Sequence, residues 1–191
     1  GDRLLFWFGG SREGATDVAI WQSRWHKGQW SEPRAIMRPE SAGAAEWRYI
    51  KKVGNPLAVK LANGDIQLFF VSVSFGGWAA SSLNITRSAD GGQTWSPARK
   101  VGTSPFLNIS TLARTHATPL ADGGFYLPVY HEFARKFPEL LRFDARGELI
   151  GKTRMSAEHQ LLQPAMVQVG PHRLISFLRD GRGQYIHKQE S

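Results

Sequence analysis

The chain of 191 residues contains no cysteine. That absence excludes disulfides and thiolate metal sites, but it leaves the compartment open, since secreted and periplasmic proteins also lack cysteine. No apolar run reaches the roughly 18 residues that a membrane-spanning helix needs. The first residues, Gly1 to Phe8, have no basic stretch leading into a long apolar one; they look like a strand, and no signal peptide is visible. No basic helix, RNP-like aromatic strand or zinc-finger spacing occurs, so nucleic acid is not an expected partner, although 24 Lys and Arg against 16 Asp and Glu give a net charge of +8. His131-Glu132 has Arg135 where a zincin would carry its second histidine, and the six scattered histidines define no metal site. Neither a metal nor a cofactor is expected.

What is present is punctuation. Twenty Gly, ten Pro and 12% aromatic residues break the apolar residues into short runs, a composition that suits an all-β domain. Excess positive charge spread singly over the chain favours an anionic partner such as an acidic sugar. Three segments repeat one plan, strand, turn and strand: 55–70, 116–130 and 163–179. Their prolines fall at positions 56, 119 and 164, an uneven spacing that fits repeated units with loops of variable length. Each such hairpin is paired with an outer one, at 17–33, 83–97 and 139–150, and 184–191 reads as one further strand.

The second outer hairpin turns through Ser88-Ala89-Asp90-Gly91-Gly92-Gln93-Thr94-Trp95. Asp90 can accept bonds from backbone N–H groups across the turn, Gly91 and Gly92 supply positive φ, and Thr94 and Trp95 restart a strand with the indole folded over the turn. The octet resembles the Asp box, S-x-D-x-G-x-T-W, of the sialidase (neuraminidase) superfamily, with Ser88, Asp90, Gly92, Thr94 and Trp95 as its structural positions. Trp30-Ser31-Glu32-Pro33 resembles a shortened box, and 144–148 keeps the geometry without the motif. The resemblance implies an all-β, sialidase-like β-propeller with a six-bladed parent. A closed propeller needs about four to eight four-stranded blades, so at about 40–50 residues each the chain reads as an incomplete set of three to four. The expected limits are a partial blade at 3–37, blades at 55–104 and 115–156, and a partial blade at 163–191. Open edges of this kind would allow self-association.

Sialidases hold the substrate carboxylate with arginines, because a guanidinium pairs with a carboxylate in bidentate fashion. They use a tyrosine nucleophile assisted by a Glu, and an Asp as acid/base catalyst. Residues 9–20 are similar to the stretch that carries an Arg and then that Asp, which makes Arg12 a binding candidate, Asp17 the acid/base candidate and Glu13 its alternate; Asp17 also fits as a residue that merely follows a turn. Arg114 to Pro119, with Leu127 to Glu132, resembles the stretch that would turn His116 and Tyr130 toward the pocket, though both also fit as core residues. Phe177 to Gly183 resembles the strand end carrying the second arginine, here Arg179. Gln163 stands where the family has the Glu that polarises tyrosine, and an amide cannot take a proton. The resemblance therefore implies a fragment of an exo-α-sialidase that removes terminal sialic acid from glycans. The departure at Gln163 keeps open a hydrolase or lyase acting on another acidic polysaccharide through His116, Tyr130 and Arg179, and a glycan-binding propeller without catalysis. On this reading the fragment by itself is inactive, because part of the pocket lies elsewhere.

Overall fold

The computed structural model describes residues 2–106, 108–158, 160–171 and 173–190. Four antiparallel sheets follow one another along the chain. The first contains β1 (Arg3–Gly9), β2 (Ala19–His26), β3 (Gln29–Trp30) and β4 (Arg34–Met37). A short helix, α1 (Pro39–Glu46), leads to the second, with β5 (Lys52–Lys60), β6 (Ile66–Val73), β7 (Ser81–Ser88) and β8 (Arg99–Lys100) in that order. The third contains β9 (Leu112–Ala113), β10 (Thr118–Pro119), β11 (Phe125–His131), β12 (Phe137–Phe143) and β13 (Leu149–Arg154), where β9 and β10 both pair with β11. The fourth is β14 (Leu161–Gly170), β15 (Arg173–Asp180) and β16 (Ile186–Glu190). Among the described residues no helix is long and apolar enough to cross a membrane.

The period-2 geometry of a strand decides how these sheets stack. In β6, Leu68 and Phe70 turn toward the first sheet, where they meet Ile20 and Met37, and Phe69 turns the other way, onto Phe125 and Phe143 of the third. The strand is buried on both faces, so it reads as an almost continuous apolar run. Phe125 and Phe143 stack at 4.9 Å, and Phe69 meets both edge-on at 6.0 and 5.1 Å. The alternating exposure of β16 is the pattern of a strand with one covered face. α1 lies outside the period-2 patterning: Pro39 starts it, the Arg38 N–H donates to Ser41 Oγ at 3.0 Å, and Trp47 ends it in the left-handed region.

The turn of the Asp box closes as the residues predict, although the next strand starts at Arg99 rather than at Thr94 and Trp95, and the box then does more. Asp90 accepts from the backbone N–H groups of Gln93 and Thr94 and from the hydroxyls of Thr94 and Ser88, at 2.6 to 2.9 Å. These bonds, that of the Thr94 hydroxyl foremost, hold its carboxyl well below the usual carboxylate range. Trp95 reaches beyond its own turn. Its indole N–H donates to Gln22 Oε1 at 3.0 Å, and its ring meets Phe6 edge-on at 5.7 Å, both in the neighbouring sheet. A four-residue turn offers an indole little apolar surface, whereas the adjacent sheet offers a ring. Gln22 in turn donates to the Gly92 carbonyl at 3.0 Å, and Arg34 and Arg24 donate to the carbonyls of Gly92 and Gly91. The 144–148 turn repeats the device without the motif. Asp144 accepts from the N–H groups of Arg146 and Glu148, and the Gly147 carbonyl accepts from Gln67 and Arg87 of the second sheet. Each outer turn is thus a clamp onto the preceding sheet.

Candidate functional site

The innermost strands of the second, third and fourth sheets carry irregularities. In β5 the register slips between Gly54 and Leu57, and Asn55 there has φ of 50°. In β14 it slips between Leu162 and Ala165, and Gln163 has φ of 49°. In the third sheet the inner strand is interrupted altogether, residues 114–117 lying between β9 and β10. A bulge lifts a side chain out of the pleat and re-aims it, and non-glycine residues at positive φ are a costly conformation that surrounding structure must hold. Here Pro56 and Pro164 follow directly, and the Thr115 hydroxyl donates to the Pro164 carbonyl at 2.6 Å, tying two of the irregular segments together.

The re-aimed side chains meet in a cavity of about 530 Å³. Asn55, Arg114 and Gln163 come from the irregular segments, Tyr130 and Glu132 from the end of β11 and beyond, and Glu13 from the loop between β1 and β2. Phe6, Trp7, Phe8 and Trp78 supply an aromatic wall. Tyr130 is 4% exposed and packs on Val71, Leu112 and Leu162. Burial pushes its hydroxyl above the usual tyrosine value, and the charge of Glu132 adds to this; the Gln163 amide and the guanidinium groups of Arg114 and Arg179 pull the other way. Tyr130 is therefore a neutral O–H at physiological pH, facing an amide in place of a base. Arg179 lies at the exposed end of β15, within electrostatic reach of that hydroxyl.

The other expected residues lie elsewhere. Asp17 accepts from the Ser11 N–H at 2.8 Å and the Ser11 hydroxyl at 3.0 Å, which lowers its pKa, the backbone bond foremost, and closes the loop that carries Glu13. Gly10 makes that closure feasible: a Cβ there would sit 2.8 Å from Val18 Cα. Arg12 is exposed and near Asp17 in charge terms, outside the lining of the cavity. His116 is exposed and lines a different cavity, of about 480 Å³, with Ala58 to Ala62 and the 119–125 turn, so it does not join Tyr130. Two groups enter that the sequence reading did not single out. Lys52 holds its ammonium 4.2 Å from the centroid of the Trp78 ring, with a pKa lowered by burial first and by Lys51 next, while Glu13 opposes the shift. Asn55 had a visible cue in Asn55-Pro56, which parallels Gln163-Pro164. Among the described residues no group of three His, Cys, Asp or Glu is placed to hold a metal ion.

The cavity offers the Arg114 guanidinium for an anion, a neutral hydroxyl, two carboxylates and an aromatic wall, and Arg179 acts on that hydroxyl from outside the lining. The whole chain, residues 1–191, matches the family model of the BNR repeat-like domain. No curated protein matches. Among solved structures the chain superposes on the Hadza microbial sialidase Hz136 with a TM-score of 0.76 at 17% identity, covering all of this chain and 42% of that one. A protein of unknown function from Dyadobacter fermentans DSM 18053 gives 0.77 at 14% over all of this chain and 62% of its own. Trypanosoma rangeli sialidase gives 0.72 at 13%, over all of this chain and 34% of its own. The chain thus spans less than two thirds of each of these structures, and at such identities the likeness is one of fold. The chain belongs to the BNR repeat-like domain family, and its fold is the one seen in the sialidases it superposes on.

Proposed function

We propose that this chain is part of an exo-acting sialidase-like glycoside hydrolase and forms one side of a pocket for a terminal acidic sugar. The observation that carries the reading is the convergence of Arg114, Tyr130 and Glu13 on one aromatic-walled cavity, with Arg179 within electrostatic reach of the Tyr130 hydroxyl. The two guanidinium groups would bind the sugar carboxylate, and Tyr130, kept neutral by burial, would donate to an oxygen beside it. Of the two carboxylates in the β1–β2 loop, Glu13 lines the cavity and Asp17 orders the loop, so Glu13 is the better placed to exchange a proton with the leaving-group oxygen. The four sheets are then successive blades of a larger ring, with limits near 3–37, 52–104, 112–156 and 161–190. A sialidase from Trypanosoma rangeli solved with sialic acid supports a sugar ligand for this fold. A lyase working through His116 and Tyr130 as partners has less support, because the two side chains line different cavities.

The test uses the full-length protein and a fluorogenic sialyl glycoside. Glu13→Gln should lower kcat by about 100-fold or more, the usual scale for a general acid, and Arg179→Ala should raise KM. Turnover unimpaired in Glu13→Gln and abolished in Asp17→Asn would move the acid/base role to Asp17. No turnover of any sialyl glycoside by the wild type would refute the hydrolase reading, and an unsaturated product from uronate polymers would favour the lyase.

A further inference from the structure

Next to the cavity, across the loop that carries Glu13, the surface shows three large aromatic side chains. Trp47 is 96% exposed, Phe75 72% and Tyr49 56%. Isolated exposed apolar residues need no explanation, but a grouped and rigidly presented set does. Trp47 is the left-handed C-cap of α1, with φ of 53°, and the following N–H, of Arg48, donates to the Gly43 carbonyl at 3.1 Å. A Cβ at position 43 would lie 2.7 Å from the Arg48 carbonyl oxygen, so the glycine permits this close turn. Arg48 then fastens the segment to the second sheet. Its guanidinium donates to Glu46 at 2.7 Å, to Ser74 and Ser72 at 2.8 and 2.7 Å, and to Asn84 at 3.1 Å. Tyr49 packs on Phe75 with ring centroids 5.5 Å apart.

Tyr49 also lines a second cavity, of about 410 Å³, together with Thr16, Glu40, Arg48 and Lys51 among others. Thr16 belongs to the same loop as Glu13, so this loop contributes to both cavities. We propose that Trp47, Tyr49 and Phe75 form a stacking subsite for the sugar rings that follow the terminal acidic sugar, so that the substrate is an extended glycan. A pyranose ring presents a face of C–H groups that matches an aromatic face, while its hydroxyls point outward to polar partners such as Thr16, Glu40 and Lys51. Aromatic side chains held on a fixed backbone lose little entropy when such a ring settles on them. The polar and charged lining favours a sugar over an apolar protein face, and the loop shared with the first cavity favours the same glycan over an unrelated one.

This inference rests on the acidic-sugar reading of the first cavity, and its test separates the two. With full-length protein, Trp47→Ala, Tyr49→Ala and Phe75→Ala are assayed on a sialyl aryl glycoside and on a sialylated oligosaccharide. Each change should raise the KM ratio of oligosaccharide to aryl glycoside about 3- to 10-fold, the scale of one aromatic contact. An unchanged ratio in all three overturns the subsite. Calorimetric binding of the intact oligosaccharide provides a readout that needs no turnover. If the wild type cleaves nothing yet binds the oligosaccharide, and Trp47→Ala weakens that binding, the hydrolase reading fails and the subsite stands. If Trp47→Ala leaves glycan affinity intact but converts a dimer to a monomer in light scattering, the patch joins two copies and the subsite is refuted.

Discussion

Gln22→Met tests whether the Asp box holds two sheets together. Gln22 is 3% exposed, and its amide bridges the sheets in both directions, donating to the Gly92 carbonyl and accepting from the Trp95 indole, each at 3.0 Å. Methionine keeps the volume and removes both bonds. The Gly92 carbonyl keeps Arg34 as a donor, so its loss is that of one ordinary hydrogen bond, about 1 kcal/mol. The indole N–H loses its acceptor where sheet and turn meet, which costs about 1–2 kcal/mol. A total of about 2–3 kcal/mol corresponds to a fall in Tm of roughly 4–12 °C for a chain of this size. Gln67→Met is the internal control. Gln67 is buried too, but the Gly147 carbonyl keeps Arg87 as a donor at 3.1 Å, and the Arg87 guanidinium keeps Glu148 at 2.7 Å. Its cost should be the smaller of the two. Thermal melts followed by circular dichroism decide the matter, and a Gln67→Met loss equal to or above that of Gln22→Met would refute the argument from orphaned partners.

Glu139 makes stability fall in acid. Burial pushes its carboxyl up, but the hydrogen bond from His131 at 2.7 Å and the charges of His131, Lys152 and Arg154 outweigh it, so the folded value lies below the ordinary 4.5. A depressed folded value stabilises the protein above the unfolded pKa, and that stability disappears as pH drops through the folded one; Glu139→Gln should flatten the slope of Tm against pH below about 4.5, and an unaltered slope would contradict it. Gly124→Ala should destabilise the third sheet, because a Cβ there would collide with the Phe143 carbonyl oxygen and the Arg142 guanidinium; a Tm equal to the wild type's would show that the turn can yield.

Several features were legible because they are local. Asp90, Gly91 and Gly92 state a turn whose hydrogen bonds close within five residues, and the alternation of apolar residues states strands. α1 escaped notice since its eight residues bury only Pro39, Ala42 and Gly43, too few for a helical stripe. The resemblance points to Glu13, Arg114, Tyr130 and Gln163, which line one cavity, to Arg179, whose charge reaches Tyr130, and equally to His116, which lies in another cavity. Nothing in His116-Ala117-Thr118-Pro119 tells how far an interrupted strand swings out before it rejoins its neighbour at Thr118.

By itself, then, the sequence determined the all-β class, the repeated hairpins, the turn chemistry of the Asp box and the excess of positive charge. These depend on backbone preference, on period and on composition, all of which act between residues close in the chain. Only the tertiary structure decided that Trp95 serves the neighbouring sheet, that Asp17 closes a loop while Glu13 lines the cavity, and that Lys52 lies over Trp78. Those outcomes depend on which sheet stacks on which and on where each inner strand slips its register. Such distances are set by packing between segments tens of residues apart, so they become visible only when the sheets are stacked.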